Sequence, residues 1–585
     1  MKEADDRLKP YLEELPDIIK YQVVSKFILG VLLFILGRLF RALLSSTGRV
    51  AVTSGDFAFL FQTWQGILII LIALISLFMY VALDLNAKII MSKNLLMGED
   101  VSVWKSCSYA VERVSALFNL EGLGVVIYII LIAPITGIGF SVSLTRGFYI
   151  PSFISSVIVS TPLYLILATT AGIIFISIGI TNLFILHGVV IDRMPLKDAN
   201  RQSRTIMHNN WKDFLFQNVR FIMVIAVVIG IVTLIVLILP LFLTSIIPMP
   251  EPFRRWLIIF FLQLGMLLSL LCDLMATPFY MMKATQLYFT YKSNEEFHYR
   301  SRPNKIFVIN RAIIIVVLLV LIGTTAIINN DFDRLFPLDT SVKIIAHRGG
   351  GIEGAENTVS GLKKACQLGA FGSEIDIQRT KDGHYILNHD GNFSRVAGDG
   401  RRPEEMTLSE IRSLSVDGEP IPTFEEILEA SKGKIILFTE LKGNTADKQM
   451  ADDAVRIVKE YGMEDEVVFI SLKYDLIDYI ETYYPEMHTG FLTFASFGDT
   501  ALLNCDYLAL EEESATIDAI AAVHKQGKKV MVWTANRRDA QRYFFSSSAD
   551  AVITDNVVQA TEVIKEIKSR SDIQRVIDRI KEIIS

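Results

Sequence analysis

The sequence predicts two folds in series: a multi-span α-helical membrane domain over residues 1–330 and a parallel α/β barrel with C-terminal helices over 343–585, joined by a linker at 331–342. Three observations predict them. Apolar residues make up 51% of the 585, and the mean hydropathy of +0.40 is too high for a soluble enzyme. About seven apolar stretches, each near the ~20 residues needed to cross a bilayer, fill the first part of the chain. Past Asn329 strand-like runs alternate with helical stretches, the pattern of a parallel α/β fold.

In chain order, the first twenty residues are acidic and amphipathic, without the apolar core or cleavage site of a signal peptide. Export of the C-terminal part therefore has to use an uncleaved span. The spans are predicted near 24–44, 66–86, 122–142, 162–188, 220–246, 256–282 and 308–328. Lys26, Arg38 and Arg41 interrupt the first, which reads alternatively as an interfacial amphipathic helix. The loop after span two carries Lys88, Lys93, Lys105 and Arg113; that after span four carries Arg193, Lys197, Arg201, Arg204 and Lys212; that after span six carries Lys283, Lys292, Arg300, Arg302 and Lys305. The alternate loops hold few basic residues, so the basic ones are predicted cytoplasmic and the chain after span seven extracytoplasmic. Asp273, an acid inside an apolar span, marks either a functional position or a polar seam between helices.

With 57 basic against 63 acidic residues the chain lacks the basic surplus of a nucleic-acid binder, and no nucleic-acid partner is expected. Four scattered cysteines (Cys107, Cys272, Cys366, Cys505) fit neither a zinc pattern nor a disulfide framework.

Eight barrel strands are predicted at 343–347, 371–376, 434–441, 467–471, 488–493, 506–510, 529–534 and 551–554. Eight is the count of a TIM barrel, whose chemistry sits at the C-terminal ends of its strands. His347, Glu374, Asp376, Glu440, Trp533 and Asn536 all fall at such ends. The run ending at Asn388-His389-Asp390 is read as a hairpin arm because Asp382-Gly383 separates it from the second strand. With those two residues at the centre of the turn, Asp376 lies opposite His389.

Glu374 and Asp376, at i and i+2, share one face of a strand. With Glu440 they form an all-oxygen set, with no cysteine nearby, that suits a hard divalent cation, Mg²⁺ or Ca²⁺. His347 and His389 are two of only eight histidines and converge on that cluster. Histidine both removes and donates protons near neutral pH, so such a pair suits acid–base catalysis. Arg348 and Lys442 either hold phosphate oxygens or make structural ion pairs. Glu356 and Asn357 either position Arg348 or cap the following helix. Asp390 either orients His389 or ends its strand, and Trp533 either walls a substrate pocket or packs. Asn536 completes the rim set.

The stretches His347-Arg348-Gly349, Ala355-Glu356-Asn357-Thr358, Glu374-x-Asp376, Thr380-Lys381-Asp382-Gly383 and Asn388-His389-Asp390 occur in this order at close spacing. Thr439-Glu440-Leu441-Lys442, Val532-Trp533-Thr534-Ala535-Asn536 and Ile553-Thr554-Asp555 follow. Together they resemble the glycerophosphodiester phosphodiesterase family over residues 343–567, with Ala355 where the family usually has proline. The resemblance implies a phospholipase-C-like TIM barrel that hydrolyses glycerophosphodiesters to sn-glycerol 3-phosphate and an alcohol. It extends in layout to the membrane domain of some bacterial members. The substrate expected from it is a glycerophosphodiester or a glycerophosphate polymer. Two alternatives stand beside it: a phospholipase-D-like lysolipid phosphodiesterase on the same barrel, and a non-catalytic membrane-tethered binding module.

Overall fold

The computed structural model describes residues 15–54, 56–99, 103–114, 152–293, 311–336 and 341–576. The chain divides into two compact units, Met1–Phe40 with Leu68–Asp331, and Arg41–Ile67 with Phe332–Ser585.

In the first unit, six helices among the described residues are long and apolar enough to cross a membrane: Leu15–Ser45, Trp64–Leu96, Pro162–Val190, Leu196–Ile246, Glu251–Ser293 and Arg311–Asn330. The predicted span at 122–142 lies outside the described residues. The basic residues Lys197, Arg201, Arg204 and Lys212, predicted in a loop, instead lie on the helix Leu196–Thr233. The loop reading fails there because this segment is a polar extension of the next span. Ile222, Val227 and Leu234 on the same run are exposed, as lipid-facing positions are expected to be. A second acid on a candidate span joins Asp273: Asp84, on Trp64–Leu96, is buried and accepts hydrogen bonds from Lys88 (2.5 Å), Ser25 (2.6 Å) and Tyr21 (3.0 Å). Buried charge is tolerated where it is paired in this way.

In the second unit the strands of three or more residues are β1 (Ala51–Thr53), β2 (Lys343–Ala346), β3 (Gly372–Arg379), β4 (Tyr385–Leu387), β5 (Ile436–Leu441), β6 (Val467–Ser471), β7 (His488–Thr493), β8 (Ser496–Gly498), β9 (Tyr507–Glu511), β10 (Lys529–Trp533) and β11 (Ala551–Thr554). Eight of them close a parallel barrel in the order β2-β3-β5-β6-β7-β9-β10-β11, with β11 paired back to β2. Seven match the predicted runs to within two residues, and β3 runs three residues past its predicted end, to Arg379. Alternation along each strand explains the packing. Ile345, Phe438, Ile470, Leu492, Ala509, Met531 and Ile553 fill the barrel interior, whereas Ile375, Ile377, Leu437 and Leu441 face the surrounding helices. The helices begin where the sequence supplies capping oxygens: Thr358, Thr423, Asp447, Thr516 and Asn556 each accept a main-chain N–H of the first turn.

β4 is a hairpin arm, antiparallel to β3, as predicted, but its register is one residue off. Ile377 pairs with Leu387 and Arg379 with Tyr385, so Asn388, not His389, donates its N–H to the Asp376 carbonyl at 3.1 Å. The turn is wider than two residues because Asp382 is engaged elsewhere. Its carboxylate accepts from the Thr380 hydroxyl (2.7 Å) and from the N–H of Leu408 (3.0 Å), and Thr380 caps His384 N at 2.9 Å. Slipping one residue normally sends a side chain to the other face. His389 escapes that consequence because β4 ends at Leu387.

Candidate active site

The site is the last inward-facing layer of the barrel. Counting by twos along each strand from the apolar interior, Ile345 leads to His347, Phe438 to Glu440 and Lys442, Met531 to Trp533, and Ile553 to Asp555; on β3 Glu374 and Asp376 share the inner face. A closed barrel with apolar layers below and polar residues at the C-terminal rim is the arrangement in which such folds do chemistry.

Glu374, Asp376 and Glu440 are buried, and one carboxylate oxygen from each lies within 4.8 Å of the others. Asp376 and Glu440 are direct register partners on β3 and β5. The Lys442 ammonium donates to Asp376 at 2.9 Å and to Glu440 at 2.8 Å, so it serves here as an ion-pair partner. Asn357 donates to Asp376 at 2.8 Å and accepts the Asp376 N–H at 3.1 Å. Thr358, not Asn357, caps the helix; the Asn357 N–H donates to the Arg348 carbonyl at 2.7 Å, and its amide aligns a carboxylate.

Three buried carboxylates face one ammonium, and their protonation shows the strain. Burial pushes Glu374 well above the usual carboxylate range, helped by the charges of Asp376 and Glu440. Burial raises Glu440 to about 7. Burial also acts against ionised Asp376, but the Lys442 charge and the Asn357 hydrogen bond outweigh it and hold this carboxyl well below its ordinary value. An all-oxygen pocket short of positive charge is the donor chemistry of a hard divalent cation, and these residues fit one.

The two histidines flank this cluster. His347 is hydrogen-bonded through Nδ1 to Asp555 at 2.6 Å, and its Nε2 lies 3.9 Å from Glu374. Asn536 donates to the other oxygen of Asp555 at 2.5 Å and accepts the Asp555 N–H at 2.8 Å. Burial raises Asp555, but His347, then Asn536 and Arg348, bring it below the usual range, so it stays ionised. His389 Nε2 accepts from the Arg348 guanidinium at 3.0 Å, which leaves its Nδ1–H to donate to Asp390 at 2.8 Å. Burial depresses the His389 pKa, and the charges of Lys442 and Arg348 add to it against Asp376 and Asp390. His389 is therefore a neutral imidazole with its Nε2 lone pair facing Arg348.

Arg348 is held by Glu356 at 3.4 Å, and Glu356 is shared with Arg395 at 2.6 and 2.8 Å. Arg395 also donates to Asp390 at 2.7 Å. The Arg348 Nε is buried without a hydrogen-bond partner, a donor available to an anion. Trp533, half-buried, donates through Nε1 to the Ala509 carbonyl at 3.0 Å at the opposite wall.

All the predicted residues thus reach one rim. Sequence reading missed Asp555, Gln378 and Arg395. Asp555 was available from the inward parity of β11, two residues after Ile553. Gln378, which donates to the carbonyls of Asn388 (2.6 Å) and Asp390 (2.8 Å), was available from the parity of β3. Arg395 lies outside any strand and carried no local signal.

The family model of the glycerophosphoryl diester phosphodiesterase family matches residues 347–559, and that of the membrane domain of glycerophosphoryl diester phosphodiesterase matches residues 11–324. A glycerophosphodiester phosphodiesterase of Caldanaerobacter subterraneus is 28% identical over 232 residues, 36% of this chain and 93% of the relative. Glycerophosphodiester phosphodiesterase 1 of Mus musculus is 25% identical over 264 residues, 37% of this chain and 79% of the relative. Among solved structures, an Oleispira antarctica phosphodiesterase in complex with the product sn-glycerol-3-phosphate is similar with a TM-score of 0.36 at 24% identity, covering 38% of this chain and 96% of that one.

Proposed function

Since the chain belongs to the glycerophosphoryl diester phosphodiesterase family, whose membrane-domain model alone spans residues 11–324 of 585, we propose that it is a multi-pass membrane enzyme that hydrolyses glycerophosphodiesters to sn-glycerol 3-phosphate and an alcohol. The observation that carries the reading is the convergence of two differently held histidines on a buried carboxylate triad at one barrel rim.

Glu374, Asp376 and Glu440 would hold a divalent cation, Mg²⁺ or Ca²⁺, which when bound neutralises phosphoryl charge and lowers the pKa of a coordinated hydroxyl. His389, neutral and with Nε2 as acceptor, takes the proton of the oxygen nucleophile. His347 enters the reaction as the imidazolium, its Nδ1–H directed to ionised Asp555, which stabilises the charged ring until the Nε2 proton passes to the leaving alkoxide. Arg348 binds a non-bridging phosphate oxygen through the face not engaged by Glu356. Trp533 walls the glycerol pocket. Lys442 keeps Asp376 ionised and Glu440 oriented. The clustering of Lys and Arg at alternate ends of the apolar helices, as at 197–212 and 283–292, supports an extracytoplasmic barrel, where deacylated phospholipids or a glycerophosphate polymer are the accessible substrates.

The test is release of sn-glycerol 3-phosphate from glycerophosphocholine by the detergent-solubilised full chain, with Mg²⁺, Ca²⁺ or EDTA, beside His389→Ala. Metal-dependent release abolished by the substitution is expected. A folded protein that binds no divalent cation and releases no product would overturn the reading.

A further inference from the structure

The second unit contains a piece of chain from far outside the barrel sequence. Between the first two candidate spans, β1 pairs antiparallel with β8: Ala51 with Gly498, Val52 with Phe497, and Thr53 with Ser496. All three β1 residues are buried, Val52 completely. The Asp499 N–H donates to the Val50 carbonyl at 3.0 Å. Ala51 belongs to the same apolar cluster as Phe491, Leu503 and Cys505, and the Phe57 ring lies 6.1 Å from that of Phe497. Gly498 has φ +105°, and a Cβ there would stand 2.6 Å from the Val50 carbonyl oxygen. The close approach of the two strands therefore depends on this glycine.

β8 sits in the loop that follows β7, on the rim that carries the site. β7 is the fifth barrel strand from β2, so this loop stands across the mouth from His347. It is joined to the rest of the rim: Ser514, after β9, donates to the Phe494 carbonyl at 3.1 Å. Arg537, after β10, reaches Glu512 at 2.7 Å and adjoins Asn536, the partner of Asp555. A two-stranded ribbon of three residues has no stability of its own. Each strand needs the other, and the loop 494–503 needs both.

We propose that the chain between Ser45 and Trp64 is a positioning element of the active site: by strand addition it completes the loop 494–503 and holds the side of the substrate mouth facing His347. The catalytic unit is then discontinuous in sequence, and a barrel that starts after the last span lacks one wall. Among the described residues, no hydrogen bond or ion pair joins this segment to the histidines or the carboxylate triad, so the element acts on how well substrate is held and not on the proton transfers. The kinetic consequence rests on the phosphodiesterase reading; the strand pairing does not.

The experiment uses the full chain in detergent. Val52→Asp puts an unpaired carboxylate into the buried strand, and Gly498→Ala forces β1 and β8 apart. Both are expected to lose hydrogen-exchange protection over 494–503 and to raise KM for glycerophosphocholine roughly 10-fold with kcat within about 3-fold. In an otherwise native chain, Thr53→Cys with Ser496→Cys is expected to cross-link under mild oxidation, and adding that pair to Gly498→Ala is expected to restore KM. Failure of the pair to cross-link, unchanged protection in both variants, or lost protection with unchanged KM would each overturn the proposal. Cross-linking of the cysteine pair in a chain that, with or without the pair, cleaves no diester would instead remove the phosphodiesterase reading, and the positioning role with it.

Discussion

Asp555→Asn isolates the role of a carboxylate that acts through His347. Asp555 accepts two hydrogen bonds, from His347 Nδ1 at 2.6 Å and from Asn536 at 2.5 Å. An amide offers one oxygen and one NH₂, so one of these donors ends up facing a donor. If Asn536 keeps the oxygen, the NH₂ points at His347 and favours the tautomer with the proton on Nε2, and the imidazolium loses its counter-charge. One charge-assisted hydrogen bond is worth about 1.5–3 kcal/mol, and the misdirected ring adds to it. A loss of about 2–4 kcal/mol corresponds to a fall of ~30- to ~10³-fold in kcat, with KM little changed. The stability signature has a definite sign. Asp555 is held below its unfolded pKa, so its contribution is present above about pH 4 and is lost as pH falls through the folded value. The difference in Tm between wild type and variant is therefore largest near neutral pH and closes in acid. The assay is product release over a pH series, with His347→Ala and the double variant completing a cycle. A kcat within about 3-fold of wild type, or effects of the two substitutions that simply multiply, would refute the coupling of Asp555 to His347.

Three further outcomes follow from the same geometry. Lys442→Met removes the only ammonium between Asp376 and Glu440; it should lower stability by roughly 3–5 kcal/mol, and added Mg²⁺ or Ca²⁺ should raise its Tm by more than that of wild type, which differential scanning fluorimetry in detergent reads directly. Asn357→Ala leaves the Asp376 N–H without its side-chain acceptor; divalent-cation affinity measured by calorimetry should weaken ~10- to 100-fold, and an unchanged affinity would count against the triad as the cation site. Gly351→Ala places a Cβ 2.1 Å from the Asp555 carbonyl oxygen, at φ +64°; displacing Asp555 by about 1 Å should reduce kcat on the order of 100-fold, seen as lost product release in a protein that still resists limited proteolysis.

Where one physical rule governed a segment, the sequence was easily read. The spans follow from length and hydropathy, and the barrel strands from apolar runs between helical stretches, because both signals are local. The triad was legible because i and i+2 on a strand share a face. The hairpin register was not. It depended on Asp382 being taken by Leu408 N, a contact 26 residues away, over the short-range preference of Asp-Gly for a two-residue turn. The contact of Asn357 with Asp376 was missed for a similar reason: its neighbour Thr358 took the cap, and its φ of +53° turns the amide toward Asp376. Pairing of β1 with β8 joins residues more than 400 apart in sequence, and three residues of ordinary β propensity carry no mark of it.

The loop after β2 explains why so much of the site is gathered around one tripeptide. Arg348 has φ +50° and Gly349 φ +91°, conformations that cost free energy for the arginine and little for the glycine. The turn they make aims successive main-chain groups at different strands. His347 N donates to Thr554 O on β11 (3.0 Å), Arg348 N to the Glu374 carboxylate on β3 (2.8 Å), and Gly349 N to the Glu374 carbonyl (2.6 Å). Further along, Ile352 N donates to the Asp555 carbonyl at 2.6 Å. One strained turn thus sets the spacing between the His347–Asp555 pair and the carboxylate triad, and the surrounding hydrogen bonds hold the strain in place. A glycine-for-arginine exchange would relieve the backbone and remove the guanidinium that fixes His389. The Arg348 side chain and the Arg348 backbone therefore make opposite demands on that position, and the one that prevails is the one that binds and orients.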